Sequence, residues 1–292
     1  MTVREALSWA INTLKGAGVP DAGAEAEYLL TFALRRKRHE LFLEPEIPVD
    51  GAVRTAFEES VERRAKREPS QYITGETEFF GLKLKVTRDV LIPRPETEAV
   101  VEAAIGAVVD LQARARDDIN VVDLCTGSGC IAVAMARELL RCRIYATDVS
   151  AAAIKVANEN AEANGVQERI TFLAGDLYGP LKRLGLFGHM DVIVSNPPYV
   201  ARSDMDSLPP EIREYEPPTA LIGGEDGLDF FRRIIRDAPF FLVHGGYIVL
   251  EAGFGQAEKV EGLLSSDGRF GEIGAKKDLS SIERVVVARR KR

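Results

Sequence analysis

Apolar positions along the chain change period once, near residue 70. Before it, Val3, Leu7, Ala10, Ile11 and Leu14 recur at helical spacing until Gly16, Gly18 and Pro20 stop the run. Thr2-Val3-Arg4-Glu5 opens this helix as a capping box. A second helix is predicted from Asp21, with Ala26, Leu29, Leu30, Ala33 and Leu34 on one face. The basic run Arg35-Arg36-Lys37-Arg38 is expected to close it, at the negative end of the helix dipole. A third helix runs from about Asp50, with Val53, Phe57 and Val61 four apart, until Pro69. Residues 1–70 therefore read as a small helical domain.

Beyond it the pattern is extended. Phe80, Leu82, Leu84 and Val86 alternate around Gly81, which predicts a β-hairpin linker over residues 71–90. "LIPRPETE" (91–98) makes a rigid elbow, and Pro95 suits the first turn of a helix that carries Val100, Val101, Ala104, Ile105 and Val108 inward. From residue 119 strands and helices alternate, with strands predicted over 119–124, 143–147, 169–173, 191–195, 246–251 and 282–288. Such alternation gives a mostly parallel sheet covered by helices on both faces, filling a domain of residues 91–292. The tail "ARRKR" is expected to fray.

Composition adds bounds. Hydrophobic residues make up 46% and charged residues 28% of 292, a globular balance for about two domains. A net charge of −7 disfavours a protein that coats nucleic acid. Residues 1–20 hold no apolar core of signal-peptide type and no apolar run reaches membrane-span length. A cytoplasmic monomer, with no membrane and no direct nucleic-acid partner, is expected. Cys125, Cys130 and Cys142 form no C-x-x-C pair, and His39, His189 and His244 are scattered, so no metal site is read and the thiols are taken as reduced and structural.

The chemistry concentrates at strand ends. "VVDLCTGSGCIAVAMA" (121–136) is a strand, a glycine loop and a helix, in which Gly127 and Gly129 allow close approach to a ligand. Asp148, nineteen residues after Gly129 and just past the next strand, stands where a carboxylate accepts from the vicinal hydroxyls of a ribose. Gly127, Gly129 and Ala132 also satisfy the dinucleotide fingerprint, so the loop alone leaves the ligand open. Asp123, before the loop, disfavours a pyrophosphate and suits a ligand bearing an ammonium group. Asp176 in "LAGDLYG" is placed to accept from an adenine amino group. Together these acids favour S-adenosyl-L-methionine.

"SNPPYV" (195–200) follows the apolar run Val192-Ile193-Val194. Neither proline donates a backbone hydrogen bond, so the strand ends here, and two in succession make a stiff loop. In this place the sequence resembles the amino-methyltransferases, which carry (D/N)-P-P-(Y/F/W) and methylate planar NH₂ groups. The Asn196 side-chain oxygen and the Pro197 carbonyl can hold two N–H bonds and favour positive charge developing on nitrogen, with Tyr199 packing on the planar group.

Five stretches, "QYITGETEFFG", "VLIPRPETE", "DLCTGSGCIA", "NPPY" and "ALIGGEDGL", resemble the PrmC/HemK family of protein-glutamine methyltransferases across residues 70–288. The resemblance implies a class I, Rossmann-like α/β domain with a mostly parallel seven-stranded sheet, joined through the hairpin to the helical domain. It implies methylation of the glutamine of the Gly-Gly-Gln motif in class-1 peptide chain release factors. Cys125, Thr126, Gly127, Ser128 and Gly129 would meet the cofactor, with Asp148 at the ribose, Asp176 and Leu177 near adenine, and Asn196 close by. Asn196, Pro197, Pro198 and Tyr199 would hold the substrate glutamine. The chain departs from the family at Cys125, where a glycine is usual, and at Leu177, where some members carry tryptophan. A cysteine needing positive φ at 125 would be strained. Two other classes share parts of this pattern: a nucleic-acid adenine amino-methyltransferase, and a cofactor-binding module in which "NPPY" is only a turn.

Overall fold

The computed structural model describes residues 1–114, 116 and 118–292. The chain forms two units, one of Met1–Glu76 with Pro209–Tyr215, the other of Thr77–Leu208 with Glu216–Arg292.

In the first unit Thr2 caps the helix Val3–Gly16 as its sequence foretold, with Thr2 Oγ1 accepting from Glu5 N and Glu5 Oε2 accepting from Thr2 N. The helices Ala22–Leu34 and Gly51–Ala65 pack against it through Leu14, Leu29, Leu30, Phe57 and Val61, all fully buried. The second helix does end at the basic run, with Arg35 as its C-cap, but no basic residue lies in its last turn. Arg35 leaves it in the left-handed region at φ 53°, and Arg38 opens a further helix, Arg38–Leu43. The charges are instead taken up by carboxylates, Arg36 by Glu44 and Arg38 by Glu27.

The segment 209–215 joins this unit through polar contacts that carry no periodic signal. Glu211 accepts from Arg67 Nε and Nη2 at 2.7 and 2.8 Å and from Arg64 Nη2 at 3.1 Å. Tyr215 donates to the Lys66 carbonyl at 2.6 Å. Paired charges replace an apolar face, so sequence periodicity is silent there.

The second unit begins in a hairpin of β1 (Glu76–Phe79) and β2 (Leu82–Lys85), turned by Phe80 and Gly81 with φ of 52° and 69°, the paired positive values of a type I′ turn. Its main sheet contains β3 (Ile119–Leu124), β4 (Cys142–Asp148), β5 (Ile170–Ala174), β6 (Met190–Ser195), β7 (Leu242–Glu251), β8 (Phe270–Lys277) and β9 (Glu283–Arg290). The order is β5-β4-β3-β6-β7-β9-β8, with β9 antiparallel to both neighbours and the other pairs parallel. β8 was not foreseen: "FGEIGAKK" carries two glycines and its register shifts between Gly271 and Gly274, so it lacks clean alternation. The tail is not frayed through Arg290, because Phe270 pairs with Arg290 and Tyr247 with Arg289.

Alternate side chains of the central strands serve opposite cores. Val121 packs with the helices Glu98–Ala113 and Cys130–Glu138, whereas Val122 packs with Asp229–Phe241 and Ala257–Asp267. Register then aligns the strand ends: Leu124 lies opposite Thr147 and Ser195, and Asp148 opposite Ala174. The loops that leave these strands therefore gather on one edge of the sheet, where open α/β folds bind ligands.

Candidate active site

The glycine loop leaves β3 at Cys125, whose φ of 60° puts a cysteine in the left-handed region. Gly129 follows at φ 81° and caps the helix Cys130–Glu138. A Cβ on Gly129 would lie 2.9 Å from Ala157 Cβ, so glycine lets this helix start close against the helix Ala151–Ala163. Asp148 ties the loop to that second helix. Its Oδ2 accepts from Gly127 N and its Oδ1 from Ser150 N, each at 2.9 Å. Burial nevertheless raises its pKa, against the pull of those two bonds. Each oxygen keeps a further lone pair for a ligand hydroxyl.

A cavity of about 400 Å³ opens beside the loop, within the range of small-molecule sites. Of the residues expected at a cofactor, Cys125, Gly127, Asp148, Asp176, Leu177 and Asn196 line it. Thr126, Ser128 and Gly129 are buried and are not on its wall. Asp123 is also off the wall: it is fully buried with Thr126 Oγ1 donating to it at 2.6 Å, and burial pushes its pKa up to about 7. It braces the loop instead of facing a ligand's ammonium group. Asp176 is engaged by Arg233, leaving one carboxylate oxygen outside that contact. Leu177 sits at φ 43°, a second strained position on the wall. Sequence reasoning gave no role to the rest of the wall: Val90 and Leu91 lie in the "VLIPRPETE" stretch and Ile222 in "ALIGGEDGL", while Phe230 lies in none of the quoted stretches. This polar floor with apolar sides suits a nucleoside: vicinal hydroxyls at Asp148 and a flat base among Leu177, Val149 and Phe230.

"NPPY" leaves β6 on the same edge. Ser195 Oγ donates to the Leu124 carbonyl at 2.7 Å, joining the strand ends from which both loops depart. Asn196 and Pro198 line the cavity, while Pro197 and Tyr199 do not. The Asn196 amino group donates to Thr97 Oγ1 at 3.2 Å, which leaves its carbonyl oxygen free to accept elsewhere. Gln256 Nε2 donates to the Tyr199 carbonyl at 3.0 Å, while Gln256 Oε1 accepts from Gly253 N at 3.0 Å. Gly227, from the "ALIGGEDGL" stretch, fits beneath: at φ 76° a Cβ there would lie 2.4 Å from the Tyr199 carbonyl oxygen. Glu251 ends β7 fully buried, its Oε1 at 3.5 Å from the Tyr199 hydroxyl, with burial pushing its pKa up to about 7. Thr97, Gln256 and Glu251 were not singled out from the sequence. Each is polar and buried or half-buried at the end of an element, which is the one signal that could have found them.

The thiols at the glycine loop are held in their neutral form. Burial pushes Cys125 and Cys130 well above their ordinary value, Cys130 to about 12. Among the described residues no cluster of His, Cys, Asp and Glu is arranged to hold a metal ion. The same residues include no helix long and apolar enough to cross a membrane. What the site offers is a nucleoside-sized cavity, at whose edge a rigid loop carries hydrogen-bond acceptors.

Two family models match the chain, the PrmC N-terminal domain over residues 5–75 and the Methyltransferase small domain over residues 107–208. A release factor glutamine methyltransferase from Geobacter sulfurreducens is 43% identical over 288 residues, covering 99% of this chain and 96% of its own. One from Moorella thermoacetica is 39% identical over 291 residues, covering 100% and 99%. Among solved structures, the hMettl16 catalytic domain in complex with MAT2A 3'UTR hairpin 1 superposes with a TM-score of 0.56 at 17% identity, over 86% of this chain and 84% of that one. That last likeness is one of fold alone.

Proposed function

The chain belongs to the release factor glutamine methyltransferase family, and we propose that it methylates the side-chain amide nitrogen of the glutamine in the Gly-Gly-Gln motif of class-1 peptide chain release factors. It is an S-adenosyl-L-methionine-dependent enzyme. The observation that carries the reading is that Asn196 and Pro198 share one cavity wall with Cys125, Gly127 and Asp148. Donor-site and acceptor-site residues thus meet in a single pocket.

When bound, the cofactor supplies an electrophilic methyl group on a sulfonium. The chain's own residues do the rest. Asp148 accepts from the ribose hydroxyls, and Leu177 and Asp176 bound the adenine end. Cys125 and Gly127 place backbone close to the ligand. The substrate amide is a poor nucleophile because its lone pair is delocalised into the carbonyl. Asn196 Oδ1 and the Pro197 carbonyl accept its two N–H bonds, turn the nitrogen toward the methyl and stabilise the positive charge that grows there. Pro198 stiffens the loop, and the Tyr199 ring borders the planar group. After transfer the amide nitrogen would carry one proton too many, which Asn196 Oδ1 and the Pro197 carbonyl would hold by hydrogen bonds until water takes it.

The helical unit offers surface without chemistry. Phe42 and Leu43 stand 58% and 75% exposed there, side chains that a bulky protein substrate can cover. It acts in docking the release factor, and the protein works as a monomer in the cytoplasm. Adenine presents an equally planar amino group to "NPPY", so the decisive experiment offers both acceptors. Labelled S-adenosyl-L-methionine is incubated with release factor and, separately, with DNA, and the methylated atom is mapped. Label on the Gly-Gly-Gln glutamine is expected; label on adenine with none on the glutamine overturns the reading.

A further inference from the structure

We propose that Thr97 and Glu251 form a positioning relay that turns the Asn196 amide so that its oxygen, and not its amino group, faces the cavity. The relay rests on the function proposed above but concerns residues to which the sequence assigned no role: Thr97 lies within "VLIPRPETE" and Glu251 in none of the quoted stretches. Thr97 is 1% exposed, one residue before the helix Glu98–Ala113, and its Oγ1 accepts from Asn196 Nδ2 at 3.2 Å. A hydroxyl that accepts in this way still has its own hydrogen to place. The Glu251 carboxylate, 1% exposed at the end of β7, is the acceptor available to it: its buried Oε2 has no hydrogen-bond partner, and Thr97 is the neighbour that most favours its charged form.

A carboxylate only accepts, so it sets the direction of the whole chain of bonds. Glu251 takes the Thr97 hydrogen, and Thr97 therefore presents a lone pair to Asn196. A flipped amide would set oxygen against oxygen, with no hydrogen between them. Glu251 also faces the Tyr199 hydroxyl, so one buried group borders both ends of the loop.

The ionised form of Glu251 is the one that orients. Thr97, Arg284 and Tyr199 favour that form, whereas burial and Glu96 oppose it and bring the group to about 7. Arg284 is itself paired with Asp278, and Arg94, which also acts on Tyr199, is paired with Glu216. Once protonated, the Glu251 O–H competes for the Thr97 lone pair that holds Asn196.

The test uses the full chain and two kinds of readout. In ¹⁵N NMR, the Asn196 side-chain amide protons exchange slowly in the wild type and faster in Thr97→Val, whatever the substrate proves to be. In single-turnover transfer to release factor at saturating S-adenosyl-L-methionine, Thr97→Val falls about tenfold. Cofactor affinity and melting temperature hold, and Thr97→Ser recovers most of the loss. Because Thr97 acts through Asn196, adding Thr97→Val to Asn196→Ala costs nothing further. Wild-type activity rises with pH through about 7, and that limb disappears in Glu251→Gln. The relay is overturned by unchanged amide exchange in Thr97→Val, by an undiminished Thr97→Val loss in the Asn196→Ala background, or by a limb that survives in Glu251→Gln. A wild type that leaves the glutamine unmethylated overturns the function instead, and the amide exchange still decides the relay.

Discussion

Replacing Asp148 by alanine removes the half-buried carboxylate on the cavity wall that is proposed to meet the ribose. Each of its oxygens spends one lone pair on a backbone N–H, Gly127 and Ser150 at 2.9 Å, and keeps another. One or two hydrogen bonds to ribose are therefore lost, each contributing about 1.5–3 kcal/mol because the acceptor is charged. At about 1.4 kcal/mol per tenfold, the affinity for S-adenosyl-L-methionine falls about 10- to 100-fold for one bond and further for two. Isothermal calorimetry measures this directly, and release-factor binding should change far less. Alanine also frees the loop, so Asp148→Asn separates the two roles. Asparagine accepts from one of the two backbone N–H groups and sets its amino group against the other, so it recovers only part of the melting temperature lost by alanine and leaves most of the affinity loss in place. Burial raises the Asp148 pKa, so wild-type affinity declines as the pH falls through that raised value. The asparagine variant lacks the decline. Unchanged cofactor affinity in Asp148→Ala would refute the assignment.

Asn196→Ala keeps both prolines and hence the course of the loop, but removes an acceptor, and single-turnover transfer should fall about 10²–10³-fold with cofactor affinity retained. A mutant within about threefold of wild type would reduce "NPPY" to a turn. Gly227→Ala drives a Cβ to 2.4 Å from the Tyr199 carbonyl oxygen and 2.7 Å from Gln256 Nε2. It should lower both the melting temperature and turnover, and a wild-type melt with full activity would remove Gly227 from the cradle. Asp123, raised by burial from an ordinary value near 3.8 to about 7, makes stability pH-dependent. Its contribution is complete below the lower value and is lost as pH rises through the upper one. The urea midpoint should therefore drop between about pH 5 and about pH 8 in the wild type and drop less in Asp123→Asn.

The chemistry of this site was legible where it depends on the backbone. Gly127, Gly129 and the two prolines announce themselves because few residues satisfy a left-handed turn or a stiff strand exit, and Asp148 follows from its distance along the chain. The strands were legible where their apolar residues are continuous, as in β3 and β6. They were not where glycine and charge interrupt the alternation, as in β8, and in β9 the predicted strand stopped two residues short because basic residues carry it to Arg290. Asp123 was misplaced for a related reason. Its position before the loop is visible in the sequence, but the direction of its side chain is set by the pleat of β3, which turns it toward Thr126 and away from the cavity.

The illegible part of the site is the part that orients. Thr97, Glu251 and Gln256 lie 99, 55 and 60 positions from Asn196, and the packing of two helix starts and one strand end brings them to one loop. None belongs to a spacing rule, because each acts through a hydrogen bond whose partner is chosen by the sheet. The wall tells the same story from the other side. Cys125 and Leu177 are not glycines, yet both sit at positive φ, 60° and 43°. Their backbone keeps the turn although their side chains do not ask for it. The surroundings must therefore impose those conformations: Thr126 N donates to the Thr147 carbonyl at 3.0 Å on one side, and Gly179 N to the Asp176 carbonyl at 2.8 Å on the other. The cavity's shape is thus held by the hydrogen-bonded frame around these two residues and not by their own backbone preferences.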